Sequence, residues 1–202
     1  MELMLMTPTK DVENELKTIN ELFEYGLSTL HINKPSMSTK KMNDYIKGIN
    51  THFHPKIMLH SHHDLAFKYN LQGIHLTSYH LEKKFKLWCL FKKEKFYHKS
   101  FLHSKSYKKV SDAFQEEKIK FDYYLLGTVF NKITNEPNVG FHPLRVQEIL
   151  KTGKKIIARG GINQITIPKA KALNFHGVIL GSVIWKNERP IEVFTTIKQL
   201  TN

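Results

Sequence analysis

Cysteine is nearly absent from this chain. Cys89 is the single one among 202 residues, which excludes an internal disulfide framework and any zinc site built on several thiolates. Arginine is almost as scarce, with only Arg145, Arg159 and Arg189 among 31 basic residues. Proteins that read base edges lean on arginine for bidentate contacts, so a nucleic-acid partner is not expected. No apolar run approaches the ~18 residues of a membrane span, and no membrane partner is expected either. Met1–Met6 is too short for a signal peptide, with Pro8 and Lys10 close behind, so a cytoplasmic protein is the simplest expectation. There is no GxSxG elbow, P-loop, dinucleotide-binding glycine fingerprint or HExxH pair. Repeats, linkers and low-complexity segments are missing too, which leaves residues 1–202 as one domain.

Acidic residues are outnumbered, 18 against 31, for a formal charge of +13. Lysines such as Lys83, Lys84, Lys86, Lys92, Lys93 and Lys95 read as solvated helix faces. What remains of the charge suits small phosphorylated substrates. Along the chain, short apolar runs alternate with helical patterns. Strands are expected over 3–6, 28–32, 56–59, 73–76, 95–99, 123–126, 155–158 and 178–180. Helices are expected over 11–25, 38–49 with Ser38 as cap, 64–69, 81–90, 106–117, 143–150, 167–173 and 190–200. Eight such units predict a single (β/α)8 TIM barrel with a parallel sheet.

The last two units carry the clearest chemistry. Arg159-Gly160-Gly161-Ile162 and Gly181-Ser182-Val183 each follow a short buried strand. Small residues there leave backbone N–H groups bare, which suits a phosphate held by Gly160, Gly161, Gly181 and Ser182. Tight turning alone is the other use of those glycines. Histidines recur at the expected mouths of strands two to five: His31, then His60, His62 and His63, then His75, then His103. Imidazole can donate to a phosphate, shuttle a proton or bind a metal. A zinc or iron site from His60, His62 or His63, and His80 is open by ligand type, though no helical spacing supports it. Lys34 follows strand two and is expected to face the mouth. Cys89, beside Trp88, reads as a small core residue.

Taken in order, these segments resemble the thiamine phosphate synthase family, which includes its thiazole tautomerase relatives. The segments are Leu30-His31-Ile32-Asn33-Lys34-Pro35, His60-Ser61-His62-His63-Asp64-Leu65-Ala66, Gly73-Ile74-His75-Leu76 and His103-Ser104. They continue through Asp122–Phe130, Arg159–Ile162 and Gly177–Ile184, covering nearly the whole chain. The resemblance implies alkyl transfer: an aminopyrimidine diphosphate ionises, pyrophosphate leaves, and a thiazole phosphate is joined to the pyrimidine. It places the thiazole phosphate on Gly160, Gly161, Gly181 and Ser182. Lys34, His31 and His103 become the catalytic candidates, while His60, His62, Thr134 and Asn135 take the pyrophosphate and pyrimidine side. A homodimer is common among such barrels, and no segment locates an interface.

The family's Mg²⁺ carboxylates fall at Ser61 and His80, neither a ligand for a hard cation. Its strand-two arginine falls at Asn33, the lysine after its strand-six threonines at Asn135, and the tautomerase histidine at Thr128. Asp64 is a substitute carboxylate or a helix cap. Protonated His60, His62 and His103 are expected to stand in by donating to the pyrophosphate. The alternatives are a tautomerase-like isomerase using His103 or His31, and a non-catalytic binder of phosphorylated thiamine intermediates.

Overall fold

Strands of three to six residues, most of them buried on both faces, cannot stand as an open sheet with solvated edges. In the computed structural model, which describes residues 1–97 and 101–201, they close on themselves. The strands are β1 (Glu2–Met6), β2 (Thr29–Ile32), β3 (Ile57–Leu59), β4 (Gly73–Leu76), β5 (Leu102–Tyr107), β6 (Tyr123–Gly127), β7 (Ile156–Arg159) and β8 (Gly177–Leu180). All neighbours pair in parallel, and β1 meets β8 in the register Glu2 with Gly177 and Leu5 with Leu180. The architecture is a closed (β/α)8 barrel, as the alternating pattern predicts.

Helices cover the outside: α1 (Glu15–Glu24), α2 (Thr39–Lys47), α3 (Asp64–Lys68), α4 (Ser78–Glu82), α5 (Lys84–Phe96), α6 (Pro143–Leu150), α7 (Thr166–Ala172), α8 (Ser182–Trp185) and α9 (Pro190–Thr201). Their buried faces, such as Ile19, Leu22 and Phe23 of α1 and Phe194 and Ile197 of α9, form a core outside the sheet. Met4, Met58, Tyr123, Leu125, Ile157 and Ile179 fill a second core inside it. The Ser38 hydroxyl accepts from the Lys41 N–H at 3.3 Å and starts α2, as expected of a cap. None of the described helices is long and apolar enough to cross a membrane.

The fourth and fifth units depart from the sequence pattern. Residues 84–96 form one helix, so the strand expected over 95–99 begins instead inside α5. Its last two residues lie outside the described ones. The fifth strand is Leu102–Tyr107, and of the helix expected over 106–117 only a 3₁₀ turn at Val110–Phe114 forms. The β5 sequence, Leu-His-Ser-Lys-Ser-Tyr, hides its strand character because both faces are polar. Ser104 and Ser106 serve buried histidine inside the barrel, while His103 and Lys105 pair with Glu94 and Glu117 outside it. Cys89 is half-buried beside a cleft, and its neighbour Trp88 is exposed.

Lys34 does not face the mouth as expected. It is 1% exposed and turned toward α1, where its ammonium donates to Glu15 Oε2 at 2.7 Å and to the Lys10 carbonyl at 3.0 Å. Tyr45 of α2 donates to the other Glu15 oxygen at 2.5 Å. The buried pair therefore ties the end of β2 to α1 and α2, and it leaves no free ammonium for chemistry. Removing one partner of such a pair strands the other charge, at a cost of about 3–5 kcal/mol. Lys34→Met is expected to lose about that much in urea denaturation, and Lys34→Met with Glu15→Gln to regain part of it. A loss of under about 1 kcal/mol for the single variant would show the pair to be dispensable.

Candidate active site

Alternation along each parallel strand sends every second side chain into the barrel. On β2 and β4 that inner position is histidine, His31 and His75, and His60 follows directly on β3. All three are buried. His31 Nδ1 and His60 Nε2 share a hydrogen bond at 2.9 Å, and the His60 and His75 rings stack at 4.1 Å. His31 Nε2 meets the Tyr123 hydroxyl at 2.7 Å. That hydroxyl also bonds Ser104, whose Oγ lies 2.8 Å from His75 Nδ1, and Ser106 Oγ is 3.1 Å from His75 Nε2. One polar network thus crosses the interior from β3 to β5, with partners for its buried groups.

Burial governs the charge of these rings. Burial first, and the Arg159 guanidinium second, push His31 down to about 3. Burial and the neighbouring rings hold His60 and His75 well below the usual imidazole value. Burial with His80 nearby lowers His63 to about 4. All four are neutral at pH 7. The expectation that protonated His60 would donate to a pyrophosphate is overturned by this, since desolvation opposes the charged form.

Arg159 is the last residue of β7, half-buried, and its charge acts on all three interior histidines. Its guanidinium has no hydrogen bond or ion pair among the described residues. After it, Gly160 (φ +87°) and Gly161 (φ +68°) take left-handed conformations that favour glycine. A Cβ on either would clash, 2.4 Å from Thr128 Cγ2 or 2.2 Å from the Phe130 carbonyl oxygen. Turn shape and packing are enough to require these two glycines. Gly181 is different: a Cβ there would meet nothing within 4 Å, and Ser182 beyond it is exposed. The space against that turn is open.

Several expected site residues lie elsewhere. His103 sits at the amino end of β5 and points outward, its Nε2 2.7 Å from Glu94 Oε1 of α5. The shift of the fifth strand moves it from the mouth to the opposite end. His62 has φ +54° and is held by Thr39 and the Met37 carbonyl at the start of α2, but it still lines the cleft shared with His63 and His80. Thr134 is exposed on the β6–α6 loop, and its hydroxyl accepts from the Glu136 N–H. Asn135 accepts from Asn163 at 2.8 Å, so it joins the loop after β7. Asp64 caps nothing; its carboxylate pairs with Lys93 at 2.5 Å. Among the described residues the zinc or iron grouping expected from His60, His62 or His63, and His80 does not assemble, whereas His31, His60 and His75 do come together.

The two positions corresponding to Mg²⁺ carboxylates do not fit that ion. Ser61 Oγ is buried without a hydrogen-bond partner among the described residues. His80 Nδ1 is taken up by the Thr77 N–H and hydroxyl at the start of α4. His80 and His63 instead line a cleft of about 470 Å³ between the turns after β3 and β4 and α5, with Lys83 and Lys86 on its wall. A hard cation needs free oxygen donors, and the carboxylate on this wall, Asp64, is already paired with Lys93.

Two site groups, His75 and Arg159, were named from the sequence without a role at the site. His75 faces inward because Ile74 and Leu76, apolar, flank it on the outward face of β4, an alternation visible in the sequence. Arg159 stood in the glycine segment, but only the barrel shows that it enters the mouth.

Fold and site together define a (β/α)8 barrel whose candidate chemistry lies at the carboxyl ends of its strands. The chain belongs to the thiamine monophosphate synthase family, whose model matches residues 3–184. Among solved structures it is similar to a thiamine phosphate pyrophosphorylase from Bacteroides thetaiotaomicron, with 24% identity, TM-score 0.77, and coverage of 99% of this chain and 97% of that one. A thiamine phosphate pyrophosphorylase from Pyrococcus furiosus gives 15% identity, TM-score 0.78, and coverage of 99% and 95%. A 3-hexulose-6-phosphate synthase from Salmonella typhimurium gives 14%, 0.69, and coverage of 100% and 98%. These likenesses establish the barrel. No curated protein matches the sequence.

The neutral histidines make stability pH-dependent. Unfolded imidazole titrates near 6.5, above the folded values of His31, His60, His63 and His75. Below that pH the unfolded chain binds more protons, so stability is kept above about 6.5 and falls as pH drops toward the folded values. Denaturation of metal-free protein near pH 5 is expected to show an uptake of about four protons from these rings, and about three in His31→Gln. A slope of one proton or fewer would mean that the rings are charged in the fold.

Proposed function

We propose that this protein joins an aminopyrimidine diphosphate to a thiazole phosphate and releases pyrophosphate, as a thiamine-phosphate synthase-type transferase. The observation that carries this reading, beside family membership, is the Arg159 guanidinium, unpaired among the described residues, together with the open space against the Gly181–Ser182 turn. An unpaired, half-buried cation suits an anionic ligand. The thiazole phosphate rests on that turn, with Arg159 supplying the charge-assisted hydrogen bonds. The diphosphate lies toward the cleft walled by Lys83 and Lys86.

The reaction breaks the bond from the pyrimidine methylene to diphosphate oxygen, and the electron pair leaves with the diphosphate. The thiazole nitrogen then donates its pair to the methylene carbon. The protein's part is to hold the two substrates together and to stabilise the leaving charge. Lysines on the cleft wall do this less well than a chelated dication, so turnover is expected to be slow. The buried neutral interior excludes water from the cation formed between the two steps.

A second reading, a non-catalytic binder of phosphorylated thiamine intermediates, is favoured by the missing carboxylate pair at Ser61 and His80. The isomerase reading has less support, because His103 faces outward and His31 is buried within its network.

Calorimetric titration with thiazole phosphate and with pyrimidine diphosphate, followed by a turnover assay, separates these readings. Binding of both with pyrophosphate release is the expected result; binding without turnover gives the binder. Arg159→Met is expected to weaken thiazole phosphate at least about tenfold, the scale of one hydrogen bond to a charged group. Unchanged affinity in that variant, or no binding by the parent protein, would remove the reading.

A further inference from the structure

The oxygen donors of a Mg²⁺ site are missing, yet three nitrogen donors converge a short way into the barrel. His31, His60 and His75 come from three different strand ends, each is buried, and one ring nitrogen of each lies within 4.8 Å of the others. We propose that this trio binds a zinc-type divalent cation in the barrel interior. The site is independent of the reaction proposed above.

Donor type is the first argument. Imidazole nitrogens select Zn²⁺ and its first-row neighbours and reject Mg²⁺, which holds to oxygen. Spacing is the second. Nitrogens on a tetrahedral zinc, each at about 2.0–2.1 Å from the ion, stand roughly 3.4 Å apart. His31 Nδ1 and His60 Nε2 are at 2.9 Å, so the ion replaces their shared hydrogen bond as His60 turns out of its stack on His75.

The third argument is the shell behind the ligands. With Nδ1 on the metal, the His31 Nε2–H donates to the Tyr123 hydroxyl at 2.7 Å. Whichever nitrogen of His75 turns to the ion, Ser104 or Ser106 holds the other. Metal-binding histidines are oriented in just this way, with the far nitrogen fixed by a hydrogen-bond partner. The rings are also neutral, the form that ligates.

Arg159 is the group that opposes a dication here, because its charge acts on all three rings. No carboxylate belongs to the trio to balance that charge. The fourth ligand is accordingly anionic: a hydroxide, or an oxygen of a bound phosphoryl group. Three protein ligands and one exchangeable position form the arrangement that open zinc sites use.

Chelator-treated full-length protein titrated with Co²⁺ at neutral pH tests this directly. One equivalent is expected to produce the intense visible bands of tetrahedral cobalt. Zn²⁺ should bleach those bands, and a large excess of Mg²⁺ should not. His31→Gln, His60→Gln and His75→Gln are each expected to weaken Co²⁺ by at least roughly a hundredfold, while His63→Gln and His80→Gln keep the bands. Circular dichroism identifies any variant that fails to fold, and the remaining ones carry the comparison. Absence of the bands in the parent protein, their survival in the folded trio variants, or their loss only with His63 or His80 would overturn the proposal.

Discussion

Closure of β1 onto β8 is the constraint on which the rest depends. An eight-stranded parallel sheet has no free edge once closed, and every backbone donor in the strands finds a partner in the next. Closure also divides each strand into an inward and an outward row. The outward row meets nine helices, counted among the described residues, and can be uniformly apolar. The inward row faces itself across a narrow space. There, volume and hydrogen-bond capacity have to match residue by residue, and the lower part is met by methionine, leucine and isoleucine. Toward the carboxyl ends the same space is filled by imidazole, hydroxyl and guanidinium groups.

That polar fill explains the electrostatic character of the mouth. The chain is strongly basic overall, but its interior is nearly neutral: histidines held uncharged by burial, with half-buried Arg159 at the end of the group. The lysine that sequence placed at the mouth is spent on Glu15 instead. A buried ion pair at that position fixes β2 against α1 and α2, so it serves the frame that orients His31 rather than any ligand. Positive charge for a phosphorylated ligand is therefore concentrated in one guanidinium and in cleft lysines, not spread through the barrel.

The fold was legible wherever strands carry apolar residues on both faces. β2, β3, β4, β6, β7 and β8 all fell within a residue of the expected bounds, because burial on both sides writes itself as a continuous apolar run. β5 failed for the opposite reason. Its inner serines answer histidines on β4, and its outer histidine and lysine answer acids on α5 and at Glu117, so no local pattern marks it as a strand. The displaced strand then displaced His103. Likewise α5, which buries Glu94 and exposes Phe85, Trp88 and Phe96, has no apolar stripe to read.

By itself the sequence determined seven of the eight strands, the glycine turns after the last two strands and the loss of the carboxylate pair. These are properties of residue type at a position, and local burial or backbone freedom is enough to express them. Only the tertiary structure decided which of the twelve histidines meet, that Lys34 turns away and that Arg159 turns in. Those outcomes depend on the register between strands distant in the chain, such as His31 beside Tyr123, ninety-two residues apart. A pairing across the barrel is set by closure, and no segment of the chain contains the information for it alone.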